Sequence, residues 1–474
     1  MLAVAAPGWA AFDRRRLLAT VLLALGVAFP FGLVAAAIAG GRSWVALSVD
    51  EGFLLWTAVA LAIAFATRIA ALFELWWVSR GSQPRPRERW TMLAAAVVCL
   101  PLALGAGQVL DARGELQPVF TSAGDGGPLF DPDRPVPDDD TASSTSTTAP
   151  SSSSTLFVSD PDGPAPDPGR VVETTSTIPA KPTRPLSGVD PTVVADVRTI
   201  LLLGGDAGPG RSGLRTDTMM LFSIHPPSGR AALISIPRDL RRMLFPPGGE
   251  LERRYPYGWD DLANAIYPIV SANDSLRAAY EVEGVRPGVV ALAHAIGYSF
   301  DVTIDDYVLV DMQGFLELID AIGGVTVNVT RAVPMPGNVP GAPTQYPDTI
   351  GPGVIEMDGS TALGYVRSRK GDSDYQRTRR QRELLASLAT QLDLTEVITS
   401  FPRVAEAVGG TLRTSLTPDE LAETLAVIGG ETAIVESVGL VPPLVNVNRP
   451  DYQQLAEIVG AVRVALATGV TSGY

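Results

Sequence analysis

The run Thr199-Ile200-Leu201-Leu202-Leu203-Gly204-Gly205-Asp206 is apolar until it ends on two glycines and a carboxylate, which reads as a buried strand emerging into a loop. Downstream, 218–225 and 231–236 read as two more strands, joined as a hairpin through Pro226-Pro227-Ser228-Gly229. Helical patterns follow at 262–272, 274–281 and 289–298. A strand at 307–311, a helix at 313–322 stopped by Gly323-Gly324, and a strand at 325–329 continue the alternation. Such an order predicts an α/β domain with a mixed central sheet and helices on both faces. The domain is expected over 191–392. Residues 393–474, with amphipathic helices read at 418–427 and 452–467, are expected as its helical C-terminal part.

Two segments precede it. Residues 1–110 read as a membrane anchor of three transmembrane helices: 17–41 and 90–110 carry no charge, and 52–79 is broken only by Arg68 and Glu74. Arg14, Arg15 and Arg16 lie before the first run, and Arg80, Arg85, Arg87 and Arg89 between the second and third. The positive-inside bias then makes this a multi-pass cell-membrane protein whose large domain is extracytoplasmic, provided 52–79 crosses. Residues 111–190 hold thirteen Asp or Glu against five Lys or Arg and three aromatics, and are expected to be a disordered Pro/Ser/Thr/Asp-rich linker acting as a tether. Much of the net charge of -14 belongs to this linker, so it says little about the partner of the folded part.

Several chemistries are excluded by what is scarce. Cys99 is the sole cysteine, so neither a disulfide framework nor a cysteine metal site is available. His225 and His294 are the only histidines and neither sits in a motif for a Ser-His-Asp triad. The glycines Gly204, Gly205, Gly208 and Gly210 are followed by no Gly-Lys-Ser/Thr, and no G-x-G-x-x-G fingerprint occurs. No basic face with interleaved aromatics points to nucleic acid.

The chemistry is carried instead by Tyr365-Val366-Arg367-Ser368-Arg369 and Asp374-Tyr375-Gln376-Arg377-Thr378-Arg379-Arg380-Gln381-Arg382, where six arginines fall within sixteen positions from Arg367 to Arg382. The chain has two lysines, Lys181 and Lys370, so arginine is its habitual base. If Asp374 caps a helix, however, Arg377, Arg380, Gln381, Leu384 and Leu388 share its apolar face, with Arg379 and Arg382 on the solvated one. Guanidiniums on an apolar face need an anionic partner. In an extended segment Arg367 and Arg369 point the same way, so four arginines converge. Either a buried phosphate or pyrophosphate meets them, for which guanidinium forks are suited, or a structural salt-bridge network does.

Two other places end strands on charge: Asp206, with Arg215-Thr216-Asp217 after it, and Ser235-Ile236-Pro237-Arg238-Asp239. Strand ends are where ligands bind in α/β sheets. Asp206 and Asp217 together suit Mg²⁺; equally, Asp206 caps a turn and Asp217 pairs with Arg215.

In this order and at similar spacing, the blocks Leu201 to Asp206, Arg215 to Thr218, Ser235 to Asp239, Asp320-Ala321-Ile322-Gly323-Gly324-Val325, Asp358-Gly359 with Ala362 to Arg369, and Asp374 to Arg377 with Arg380-Gln381 resemble the LytR-CpsA-Psr family across about 197–388. The resemblance implies an extracytoplasmic phosphotransferase that moves an anionic glycopolymer from a polyprenyl-pyrophosphate carrier to a peptidoglycan sugar hydroxyl in cell-wall assembly. It places Arg215, Arg238, Arg367, Arg369, Arg377, Arg380 and Gln381 on the pyrophosphate and Asp206 and Asp217 on Mg²⁺. Arg238, Asp239 and Arg377 are the expected catalytic residues. The lipid tail is expected in an apolar tunnel to which Phe315, Leu318, Ile319 and Ile322 contribute. A hydrolase of the same pyrophosphate and a non-catalytic polyprenyl-phosphate-binding wall protein are the competing readings. The chain departs from the family at Thr216, where a serine is usual, and at Gln376, where a glycine is frequent; 255–274 matches only at Asn264-Ala265.

Overall fold

The computed structural model describes residues 53, 55–62, 64, 127–134, 181–206, 214–336, 347–391, 411–428 and 434–474. The three expected membrane spans lie outside these residues, apart from helical positions at 55–62. Among the described residues no helix is long and apolar enough to cross a membrane.

Six strands form the central sheet: β1 (Arg198–Gly205), β2 (Thr216–His225), β3 (Arg230–Ser235), β4 (Asp306–Val310), and two later strands at its edges. Those edge strands are β9 (Leu412–Thr414) and β10 (Ile434–Gly439), and the order is β10-β3-β2-β1-β4-β9. Between them in the chain come four short strands in two further pairs, β5 (Val325–Val329) with β8 (Gly353–Met357) and β6 (Val333–Pro334) with β7 (Thr349–Ile350). The region 393–474 was expected to be helical; it supplies both edges of the sheet. Strand β9 has three residues, and β10, though six long, reads Ile434-Val435-Glu436-Ser437-Val438-Gly439 without alternation, so long-range pairing with β3 and β4 defines them.

Pairing is antiparallel for β1–β2, β2–β3 and β4–β9 and parallel for β1–β4 and β3–β10, so β1, β3, β4 and β10 all run the same way. Their carboxyl ends meet at one border of the sheet. Side chains alternate across it, as the pleat requires. Leu201 and Leu203 enter one core with Val289, Leu292 and Ile296 of helix α4 (Pro287–Phe300) and Leu455 and Val459 of α9 (Tyr452–Thr468). Ile200 and Leu202 face the other way, toward Leu385 of α7 (Asp374–Gln391) and Leu421 of α8 (Pro418–Ile428). Helices therefore cover both faces. The remaining helices are α1 (Glu250–Arg254), α2 (Ile266–Ala272), α3 (Asp274–Ala279), α5 (Met312–Ala321) and α6 (Gly359–Arg367).

Helix α6 corrects a local expectation: Arg367 is its last residue, and the extended backbone begins only at Ser368. It lies directly on α5. A Cβ at Gly359 would stand 2.1 Å from the Leu316 carbonyl oxygen, while Asp320 accepts the Gly359 amide at 2.6 Å.

The linker also differs from its expectation. Residues 127–134 and 181–190 lie on the domain rather than free of it. Phe130 is buried, exchanges backbone hydrogen bonds with Ile304 at 3.0 and 2.8 Å, and sets its ring 5.0 Å from that of His294. The absence of a side chain at Gly297 makes room for that ring. Arg184 then ties Pro132, Asp133 and Asp301 together. Two apolar residues in a polar, proline-rich run give no periodic signal, which is why composition alone reads the segment as disordered. His294 is a core residue whose burial pushes its pKa down to about 4, so it is neutral at pH 7.

Gly359→Ala forces α5 and α6 apart and is expected to lower unfolding free energy by about 1–3 kcal/mol in urea titration. A wild-type midpoint would show that the α5–α6 contact gives way without cost.

Candidate active site

Ser373, rather than Asp374, caps helix α7: its hydroxyl accepts the Gln376 amide at 3.3 Å. That leaves the Asp374 carboxylate for other partners. It takes Arg238 Nε and Arg377 Nη2, each at 3.1 Å, and Arg369 Nε lies 3.4 Å from its second oxygen. Asp217, at the start of β2, faces the same three guanidiniums. Arg238 Nη1 donates to it at 2.9 Å, and Arg369 and Arg377 each come within 3.7 Å. Asn264 donates to the same Asp217 oxygen at 3.0 Å. Three arginines from three separate segments thus share two carboxylates, leaving one positive charge in excess.

Burial acts to raise the Asp217 pKa, but the Arg238 hydrogen bond, the charges of Arg238 and Arg377 and the Asn264 bond outweigh it and hold the group below the usual carboxylate range. Burial likewise pulls the Arg377 guanidinium, 4% exposed, below its ordinary value; Asp374 and Asp217 oppose this and the charges of Arg238 and Arg369 reinforce it. A guanidinium still keeps its proton at neutral pH.

Asp217, Arg238, Arg369 and Arg377 line one end of a cavity of about 810 Å³. Asp206, Arg215, Arg367 and Lys370 complete its charged mouth, and among the described residues Arg215, Arg367 and Lys370 make no ion pair. Asp206 accepts the Arg215 amide at 2.7 Å, across the β1–β2 junction. Two buried polar atoms at this end, Arg377 Nε and Gln381 Oε1, have no hydrogen-bond partner. Both residues line the cavity, and buried polar atoms without a partner are rare enough to call for an explanation. The other end is apolar. Leu202 and Val308 of the sheet, Phe315 and Leu318 of α5, and Leu384 and Leu388 of α7 line it, so the slot runs between sheet and helices.

The residues expected from the sequence separate into three groups. Asp206, Arg215, Asp217, Arg238, Arg367, Arg369, Arg377 and Gln381 all line the cavity. Arg380 does not line it: buried at 4% exposure, it is clamped by the Tyr365 and Ser368 carbonyls and Asp372 and lies 5.7 Å from the centre of the Tyr365 ring. Its place on the apolar face is as expected, and its anionic partner is an aspartate. Asp239 is also outside the lining. One carboxylate oxygen is 3.5 Å from the Tyr375 hydroxyl and the other is buried without a partner. Arg382, expected in solvent, instead reaches Ser235 and Ser437 at the end of β3 and β10. Of the tunnel residues, Phe315, Leu318 and Ile319 line the slot, and Ile322 does not but packs against the same apolar cluster as Phe315 and Ile319.

Sequence reasoning missed Asp374 as a counter-charge and Asn264 as a partner of Asp217. The Asn264-Ala265 match was the only available sign of the second. For the first, the i, i+3 spacing of Asp374 and Arg377 was visible, but not the arrival of Arg238 and Arg369.

Asp374→Asn removes one of two negative charges competing for the guanidiniums. Inorganic pyrophosphate is expected to bind about tenfold more tightly by calorimetry, one charge pair being worth about 1 kcal/mol or more. Equal or weaker binding would mean that Asp374 does not compete with the anion. Because the folded pKa of Asp217 is depressed, its stabilising contribution is full above the ordinary carboxylate value, about 3.9, and is lost as pH falls through the lower folded value. Asp217→Asn should flatten this acid limb of the unfolding curve, measured between about pH 5 and pH 2.

A model of the LytR_cpsA_psr family matches residues 171–456. Over 240 residues the chain is 31% identical to a polyisoprenyl-teichoic acid–peptidoglycan teichoic acid transferase, TagU, of Oceanobacillus iheyensis, covering 50% of this chain and 64% of that protein. It is 26% identical over 238 residues to biofilm regulatory protein A of Streptococcus mutans, 48% of this chain and 52% of that one. A TagU of Halalkalibacterium halodurans is 26% identical over 275 residues, 56% and 79% of the two chains. The crystal structure of TagV of Bacillus subtilis superposes with a TM-score of 0.40 at 22% identity, covering 58% of this chain and 98% of that one.

Proposed function

The chain belongs to the LytR_cpsA_psr family, and from that premise and the two-ended cavity we propose that it is a cell-wall phosphotransferase. It takes a glycopolymer from a polyprenyl-pyrophosphate carrier at the membrane and joins it to a peptidoglycan sugar hydroxyl. The observation that carries this is the juxtaposition of a cationic mouth with a greasy slot in one continuous cavity. A polyprenyl diphosphate has the same two-part character. The names of the relatives that act on teichoic acid and peptidoglycan support the reading.

In this reading Arg238, Arg369 and Arg377 exchange their carboxylates for diphosphate oxygens, with Arg215, Arg367 and Gln381 completing the cradle. Arg380 holds the 365–368 backbone in place and thereby positions Arg367 and Arg369. The acceptor hydroxyl attacks the phosphorus attached to the polymer's first sugar and gives up its proton to solvent. The bond from that phosphorus to the bridging oxygen breaks, and polyprenyl phosphate leaves. Guanidiniums fixed beforehand stabilise the charge that develops on the leaving oxygen. The slot excludes water from the carrier's tail and favours its retention by burial of apolar surface.

The donor set fits magnesium. Asp206 and Asp217 offer the carboxylate oxygens that Mg²⁺ prefers, at the mouth where a diphosphate would bring more. Among the described residues no group of three or more His, Cys, Asp or Glu could hold a metal ion, so diphosphate oxygens and water would supply the rest of its shell. Bound there, the ion would neutralise diphosphate charge.

Arg238→Ala and Arg377→Lys are each expected to lower transfer of labelled polymer from lipid carrier to peptidoglycan by at least about a hundredfold, with circular dichroism unchanged. The lysine keeps the charge but loses the planar fork. Transfer at wild-type rate by both variants would rule out this site. Release of label into water without peptidoglycan would show a hydrolase instead.

A further inference from the structure

A second cleft, of about 650 Å³, opens from the same loop that carries Arg238. Arg242, four residues on, lines this cleft and not the first. Their Cα atoms are at most about 15 Å apart along the chain. The walls are firmly built. On one side Gln453 exchanges two hydrogen bonds with the Leu186 backbone, at 3.0 and 2.7 Å, fixing the Pro182–Pro185 edge. On another, the Arg242 amide donates to the Trp259 carbonyl at 2.9 Å and the Trp259 amide returns a bond to Met243 at 2.8 Å. The Tyr452 hydroxyl braces the floor by donating to the Arg241 carbonyl at 2.6 Å.

Two of the charged side chains on these walls are idle, while the one carboxylate of the lining, Asp451, is taken up by the Gln453 and Gln454 amides. Arg242 and Arg449 are exposed, and among the described residues neither makes an ion pair or a side-chain hydrogen bond. Most other arginines of the domain are paired, Arg184 in this same cleft with Asp301 at 2.6 Å. Arg242 also holds a left-handed φ of 57°, a costly backbone for a residue with a side chain, fixed by the close approach of Gly258. Its neighbour in the cleft, Tyr257, is 44% exposed. The Arg449 turn is held by Asn446, whose side chain accepts the Asn448 and Arg449 amides. Rigid backbone, two unpaired forks and an open aromatic face are the components of a binding site for an anionic, partly apolar ligand.

We propose that the acceptor occupies this cleft: a carboxylate-bearing peptidoglycan glycan, its carboxylates on Arg242 and Arg449 and a sugar face against Tyr257. The inference rests on the transferase reading and adds where its second substrate binds. The loop from Arg238 to Arg242 joins the donor and acceptor sites along the chain, Arg238 lining the first cleft and Arg242 the second.

The test uses the full chain, soluble peptidoglycan fragments and the same fragments with their carboxyls amidated. Calorimetry should show the fragments binding at least tenfold more weakly to Arg242→Gln/Arg449→Gln than to wild type. Amidation should weaken wild-type binding similarly, and inorganic pyrophosphate should bind both proteins equally. Arg449→Gln alone, at an unstrained backbone position, should show part of the loss and guards against misfolding of the double variant. The proposal is overturned if wild type ignores the fragments, or if the variants or amidation make no difference, while pyrophosphate still binds; the transferase reading survives that result. Failure of wild type to bind pyrophosphate would sink the transferase reading itself, and this inference with it.

Discussion

Three guanidiniums held by two carboxylates are the constraint from which the rest of the site follows. Arg377 is almost wholly buried, and a charge so placed is tolerated only with counter-charge at hand. Asp217 and Asp374 provide it while no ligand is present. The two aspartates thus keep Arg238, Arg369 and Arg377 in position, and under the proposed function a diphosphate displaces them. Affinity is moderated in exchange for a site already assembled, which reduces the ordering cost of binding. One unbalanced positive charge and the partnerless Arg377 Nε remain to favour an anion.

The sheet explains why those groups meet. Because β1, β3, β4 and β10 run the same way, Asp206 and Arg238 leave the sheet at one border, and antiparallel β2 begins there with Asp217. Helix α7 crosses that border with its charged first turns over the strand ends, and its Leu384, Leu385 and Leu388 continue over the sheet face. The greasy slot and the cationic mouth are therefore successive turns of one helix set against one sheet. An amphipathic donor matches that gradient.

The packing of residues 127–134 changes how the linker is pictured. Phe130 adds a bridge beside the start of β4 and Arg184 closes the ring through Asp133 and Asp301. Residues 132–133 and 184 are consequently neighbours on the domain surface.

Much was legible in the sequence where a period is short. The 3.6-residue repeat put Arg377, Arg380, Gln381 and Leu384 on one buried face, and the apolar runs ending in Asp206 and Arg238 marked the border where ligands gather. Local order determined the strands β1 to β4, the helices and the candidate residues, because each depends on neighbours a few positions away. Only the tertiary structure decided that Arg380 is spent on Asp372 and two carbonyls, that Asp374 is a counter-charge rather than a cap, and that β9 and β10 close the sheet's edges. Each of those outcomes turns on which distant group arrives at a given atom, and competition among unlike partners across long stretches of chain leaves no periodic trace.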